Sequence, residues 1–339
     1  MIRKLWFLLL IVACASMTAC GATETSGSQQ TDKNPALTKV KVGYDGYSMT
    51  TAPLYYAYEK GIFKKYGLDV ELVFVSGGST LSQAAIGGSV DIAQNGYTPS
   101  MESIVSGADL VLVGGISNKL PFQLVVKDNI TTAEQLKGKS IAISKFGSSS
   151  AKAADMALQS LGMTTTDVSL LQLGGSNDRI AAALSGNIDG TIEQYPSTGQ
   201  LLKQGFRVMV DLTDIAGEYP NTAYAVKRDY AKNNAEVLKN FFRGISEGVK
   251  EYKKNKDEAI KITAQFLKMD NPAELTEAYE FYSTKIFPDI PKPSMTGIDL
   301  VLKEIAKQKP KAAQMTAEQI VDVSAIEALE KEGFFKNLK

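Results

Sequence analysis

The chain has 339 residues, 44% of them hydrophobic and 22% charged, a folded-protein balance with room for two domains at roughly 100–200 residues each. Its 37 basic and 37 acidic side chains cancel, and loss of Arg3 and Lys4 with a leader would leave 35 against 37, a net charge of −2, which gives no electrostatic footprint for nucleic acid. There is no histidine, and the only two cysteines, Cys14 and Cys20, stand near the start. This excludes histidine triads, histidine or cysteine metal sites and disulfide scaffolds, and no cofactor or metal is expected.

Met1-Ile-Arg-Lys4 followed by the apolar run from Leu5 to Ala13 has the pattern of a signal peptide and is short of the roughly 20 residues that span a bilayer. Met17-Thr-Ala-Cys20 matches a bacterial lipobox, and Ile11-Val-Ala-Cys14 fits the same pattern. Cys20 is preferred as the lipidated residue because polar residues follow it at once. The expected organisation is a lipoprotein signal over 1–19 and a flexible Ser/Thr/Gly/Gln-rich linker over 20–38. The body then divides into lobe 1 from 39–126 and 218–339, and lobe 2 from 127–217.

Short β-rich runs alternate with helical patterns from there on, which predicts an α/β fold with mostly parallel sheets. Expected strands are Lys39 to Gly43, Asp69 to Val75, Phe122 to Val126, Ile141 to Ile143 and Thr222 to Val226. Expected helices are Ala52 to Lys60, stopped by Gly61, and one with Ala154, Ala157, Leu158 and Leu161 on its apolar face, stopped by Gly162. Thr131-x-x-Glu134 predicts a capping box. Leu238, Phe241, Phe242, Ile245, Val249 and Tyr252 form one apolar helical stripe, read as core packing. Helices continue to the end, with Pro272 at a helix start and Thr316 as an N-cap.

The body also repeats itself. Asp69-Val70-x-Leu72 recurs as Asp167-Val168-x-Leu170, Gly77-Gly-Ser79 as Gly174-Gly-Ser176, Gly88-x-Val90-Asp91 as Gly186-x-Ile188-Asp189, and Tyr97 as Tyr195, always 97 or 98 residues on. That spacing is too long for a solenoid and points to two similar lobes.

In a parallel sheet the functional loops leave the carboxyl ends of the strands. Gly43 to Tyr47, Ser76 to Ser79, Lys145 to Ser150 and Gly174 to Asn177 are such loops. Their glycines, hydroxyls and following helix starts suit an anion, yet none carries a nucleotide fingerprint. Tyr44, Tyr47, Tyr97 and Tyr195 either line the same edge or pack the lobes. Asp91 and Asp189 are either an acid–base pair or, in their repeated setting, turn residues. Arg179 could reach an anion or stand on the surface.

The sequence resembles the bacterial ABC-transporter solute-binding lipoproteins of the nitrate, sulfonate and taurine type, related to the thiamin-pyrimidine binding, NMT1/THI5-like group. The residues that carry this are Ala52-Pro-Leu54, Glu59 to Phe63, Tyr66 to Val70, Gly88 to Ala93, Leu136 to Ala142 and Gly186 to Gly190, in the right order over about 39–255. The resemblance implies a type II periplasmic-binding-protein-like fold with a helical C-terminal extension. It implies a cleft built from Tyr44 to Tyr47, Gly78 and Ser79, Asn95 to Pro99, and Phe146 to Ser149, with Tyr44, Gly46, Tyr47, Gly78, Ser79, Asn95, Gly96, Tyr97, Phe146, Gly147, Ser148 and Ser149 as its site residues. Glu193 and Tyr195 stand where many relatives carry a Trp-Asp-Pro-like stretch. The implied role is capture of a small organic anion (a sulfonate, taurine-like or carboxylate solute), with a neutral aromatic or pyrimidine ligand as the alternative. The implied partners are an ABC permease and its ATPase, with the protein a lipid-anchored monomer outside the cytoplasm; a clamshell sensor is the rival. A thiamin-pyrimidine synthase of the same fold would need an active-site histidine, which this chain lacks.

Overall fold

The computed structural model describes residues 36–146 and 148–338. The expected leader and all of the expected linker before Ala36, both cysteines and Gly147 lie outside the described residues. No helix among the described residues is long and apolar enough to cross a membrane.

Among the described residues, ten strands build two five-stranded sheets. They are β1 (Thr38–Tyr44), β2 (Leu68–Phe74), β3 (Ile92–Gly96), β4 (Leu110–Ser117), β5 (Gln123–Lys127), β6 (Ser140–Ile143), β7 (Ser169–Gln172), β8 (Gly190–Glu193), β9 (Phe206–Asp211) and β10 (Thr222–Lys227). The first sheet has the order β2-β1-β3-β10-β4 and the second β7-β6-β8-β5-β9. In each sheet the fourth strand in that order, β10 or β5, runs antiparallel to both of its neighbours.

The repeat in the sequence is therefore a repeat in topology. The 98-residue step carries the helix Gly78–Ile86 onto Ser176–Leu184, and the start of β3 onto the start of β8. Gly88 and Gly186 both take positive φ, 74° and 79°, a conformation that favours glycine.

The run at 122–126 was assigned to lobe 1, but β5 lies between β8 and β9 in the second sheet. The chain therefore crosses to lobe 2 between Ser117 and Gln123. A short, largely apolar run buried on both faces carries no mark of which sheet it joins. The capping box is also displaced by one residue. Thr132 is the N-cap, accepting from the Gln135 backbone N–H, while the Gln135 side chain accepts from the Thr132 N–H. Both frames satisfy the same spacing rule.

The stripe predicted on the long helix is real: Leu238, Phe241, Phe242, Ile245, Val249 and Tyr252 are all buried on Ala235–Lys254. They join the core of the first sheet with Phe63 and Tyr224. Strand β4 is buried along its whole length. A Cβ at its Gly114 would stand 2.5 Å from Phe242 and 3.1 Å from the Pro291 carbonyl, so only glycine lets helix and strand approach this closely.

Two parts of the helical C-terminal region reach across to lobe 2. From residues 276–286, the Tyr282 hydroxyl donates to Gln194 at 3.1 Å and Lys285 pairs with Asp214 at 2.9 Å. From the helix Met295–Ala306, Glu304 pairs with Lys152 at 2.6 Å.

Candidate functional site

A cleft of about 790 Å³ lies between the lobes, within the usual size of a small-molecule site. Loops at the carboxyl ends of β1, β2 and β3 line it from lobe 1, and loops after β6 and β8 from lobe 2.

Two adjacent side chains of β3 hold the lobe 1 wall in place. Gln94 donates to the Thr50 carbonyl and the Thr51 hydroxyl, both at 3.2 Å, and accepts from the Tyr224 hydroxyl. Its neighbour Asn95, on the opposite face, donates to the Gly78 carbonyl and the Ser82 hydroxyl, each at 2.8 Å, and accepts from the Gly96 N–H. Asn95 is fully buried, and it braces the glycine loop rather than facing the cleft. A Cβ on Gly78 would lie 2.7 Å from both Asn95 and Pro99, so the close approach requires glycine. Ser79, Gly96 and Tyr97 complete this wall. Burial holds the Tyr97 phenol well above its ordinary pKa and therefore uncharged.

The lobe 2 wall is a serine network. Ser148 caps the helix Ser149–Ser160, accepting from the Ala151 N–H at 3.2 Å and sharing a hydrogen bond with Ser150. Ser150 in turn accepts from the Ser144 N–H at 2.9 Å. Ser149 is exposed at the helix start.

Seven of the expected site residues do not line the cleft. Tyr44 and Tyr47 pack with Phe74 and Phe266 instead, with ring centroids 5.0–5.9 Å apart. In the loop that follows β1 it is Asp45 that faces the cleft. The Gly46 carbonyl accepts from the Thr51 hydroxyl. Phe146 is exposed, its N–H donating to Gln172. Tyr195 packs against Phe281, the ring centroids 5.0 Å apart and the planes tilted by 38°. Asn95, described above, and Glu193 are the other two.

Glu193 is fully buried and accepts from Arg179 Nε at 2.9 Å and Nη2 at 3.0 Å, from Thr191 at 2.9 Å, and from Ser176. Burial pushes its carboxyl up, and the Arg179 guanidinium and the two hydroxyls pull against that. Arg179 is itself buried and also donates to the Gly174 carbonyl. Neither the surface nor the anion reading of Arg179 holds. It is an internal tie that shapes the Gly174 to Asn177 loop.

Asp91 and Asp189 are turn residues at the amino ends of their strands. Asp91 accepts from the Lys41 N–H at 2.8 Å, and Asp189 from the Ser140 N–H at 3.1 Å. Asp45, Lys145, Gln194 and Glu304 are among the cleft-lining residues that the sequence did not single out. The first three lie in or beside loops it had marked.

Asp45 is the one whose surroundings are unusual. Burial raises its carboxyl pKa, and only backbone N–H groups, those of Gly96 and of Asp45 itself, act in the other direction.

The model of the family described as NMT1/THI5 like matches residues 48–259, more than half of the chain and both walls of the cleft. The chain belongs to the NMT1/THI5-like family. Within reach of this NMT1/THI5-like chain is a Brucella abortus protein named only as a binding protein, 27% identical over 243 residues, 70% of this chain and 75% of that one. A riboflavin-binding protein of Chloroflexus aurantiacus is 25% identical over 268 residues, 77% and 76% of the two chains. The fold is that of the periplasmic aliphatic sulphonate binding protein of Escherichia coli, with a TM-score of 0.70 at 23% identity, covering 84% of this chain and 97% of that one. Helix Met295–Ala306, which supplies Glu304, lies beyond the NMT1/THI5-like match.

Proposed function

We propose that this protein is the extracytoplasmic solute-binding component of an ABC importer, which captures a small organic solute between its lobes and delivers it to a permease. The observation that carries this reading is the interlobe cleft itself. Loops from both related lobes contribute to one small-molecule-sized space, so a solute there touches both and favours the closed form over the open one. Family membership and the binding roles named for its relatives support it. Lipid attachment at Cys20, residence outside the cytoplasm, action as a monomer and work with a permease and its ATPase belong to the same proposal.

The chain captures rather than converts. The sequence contains no histidine, and among the described residues no serine or threonine hydroxyl lining the cleft is hydrogen-bonded to a carboxylate or an amine, the pairing that turns a weak hydroxyl into a nucleophile. The solute is a small organic anion, received in lobe 2 by hydroxyls at a helix start.

Native mass spectrometry of protein purified from its host, followed by X-ray scattering with and without the recovered solute, tests the proposal. The expected result is a stoichiometric small molecule, returned chemically unaltered, and a smaller radius of gyration when it is bound. A chemically altered product, or no solute and no compaction, would overturn it.

A further inference from the structure

The helix Met295–Ala306 is fastened at its start to both segments that join the lobes. Ser294, its N-cap, donates its hydroxyl at 2.5 Å to Glu218, between β9 and β10, and its N–H at 3.2 Å to Asn118, between β4 and β5. Asn118 also donates to the Lys292 carbonyl at 2.7 Å. Pro288, Pro291 and Pro293 precede the helix, and their fixed φ stiffens that approach. Farther along, the helix packs on Tyr97–Val105 of lobe 1, and Lys309 just beyond its end donates to the Ser106 hydroxyl and the Glu102 carbonyl. Glu304 is therefore carried by lobe 1. It accepts from the Tyr219 hydroxyl at 2.8 Å and pairs with Lys152 of lobe 2 at 2.6 Å.

Lys152 and Glu304 both line the cleft, on opposite walls. Among the described residues, theirs is the ion pair that joins those walls, since Glu277 and Lys285 reach Lys203, Asp211 and Asp214 outside the cleft. Parting the walls separates the two charges, so their attraction counts only in the closed form. The side chains are 32% and 30% exposed, which leaves that attraction open to screening by salt. Opening strands neither charge. Lys152 has Asp155 on its own helix at 3.8 Å, and Glu304 has the Tyr219 hydroxyl. The pair thus belongs to an element with two satisfied arrangements, one for each state of the cleft.

We propose that the Lys152–Glu304 pair is a clasp across the cleft, which holds part of the empty protein closed and yields to salt. It rests on the solute-capture reading for its purpose and adds to it a bias that acts before any solute arrives. A partly exposed ion pair shifts such an equilibrium by about two- to fivefold. The clasp therefore tilts the balance between open and closed forms without locking it, and a solute touching both walls still completes the closure.

X-ray scattering from the protein dialysed free of solute tests this. Between about 0.01 M and 1 M sodium chloride the screening length falls from about 30 Å to about 3 Å, and the radius of gyration is expected to rise. Glu304→Gln and Lys152→Gln are each expected to expand the protein at low salt, and because they lie on opposite walls a folding defect in one leaves the other as a test. The exchange variant, Lys152→Glu with Glu304→Lys, is expected to return the low-salt radius to that of the parent. A side chain that merely supported its own helix would not be rescued by a substitution on the other lobe. A parent radius that ignores salt, a low-salt radius unchanged by both single substitutions, or a folded exchange variant as expanded as the single ones would each overturn the clasp. Solute capture is judged separately, by the co-purified small molecule. A protein that carries a solute but whose empty form ignores salt keeps capture and loses the clasp.

Discussion

Ser79, in the first turn of Gly78–Ile86, and Ser148, the N-cap of Ser149–Ser160, both stand at helix starts on the cleft walls, but only the Ser148 hydroxyl is engaged by its own helix. Ser148→Ala is therefore expected to cost about 1 kcal/mol of stability as a lost N-cap. Ser79→Ala is expected to leave the melting temperature unchanged and to weaken solute binding by about 0.5–1.5 kcal/mol. Denaturant melts beside calorimetry separate the two, and equal losses of stability would contradict the assignment. Breaking the Arg179–Glu193 pair is a larger event. Arg179→Leu leaves a buried carboxylate without its partner, which typically costs about 3–5 kcal/mol, and chemical denaturation measures it. Asp189 gives a pH signature. Partial burial raises its carboxyl pKa, but hydrogen bonds from the Ser140 N–H, Lys127 and the Ser140 hydroxyl outweigh this and hold it below its ordinary value. A carboxyl with a depressed folded pKa stabilises above its unfolded value, about 3.9, and loses that contribution as pH falls through the folded value. Asp189→Asn should thus lower the melting temperature at pH 7, and the gap from the parent should close as the pH is taken below about 4.

At the scale of single elements, most of the fold was legible and most of the site was half legible, for one physical reason. Periodicity says where a strand or helix runs, and the amphipathic stripe of Ala235–Lys254 is as clear in sequence as in structure. Periodicity does not say which sheet a wholly buried strand joins, as β5 demonstrates. Nor does it say which residue of a loop turns inward. The Tyr44–Tyr47 loop was marked for its tyrosines, whose rings pack outward on Phe74 and Phe266, and Asp45 between them faces the cleft. Arg179 and Glu193 stand 14 residues apart, and only the folded glycine loop shows that they are partners. The buried strand β4 supplies a test at this scale. Gly114→Ala pushes a methyl into Phe242 and toward the Pro291 carbonyl, and overpacking of this kind costs about 1–3 kcal/mol. A thermal melt unchanged by Gly114→Ala would mean that strand and helix pack less closely than described.

On the scale of the whole molecule, the β5 and β10 strands decide how the lobes depend on one another. Every strand of the second sheet lies between Gln123 and Asp211, whereas the first sheet needs β10, made after lobe 2 is finished. Lobe 2 is thus a contiguous insertion and lobe 1 a split domain. For a chain that emerges from its amino end, this sets an order of events. Lobe 2 has all its sequence available as soon as Asp211 is out, while β3 and β4 must wait for β10, the strand that keeps them from presenting open edges. A chain stopped at Gly217 should hold a protease-resistant fragment beginning near Gln123, with the segments before Ser117 cleaved, and limited proteolysis with mass mapping would show it. Full-length protein should resist along both. While the chain is being made, the early segments of lobe 1 therefore wait, unpaired at β3 and β4, for a strand that lies on the far side of a whole lobe.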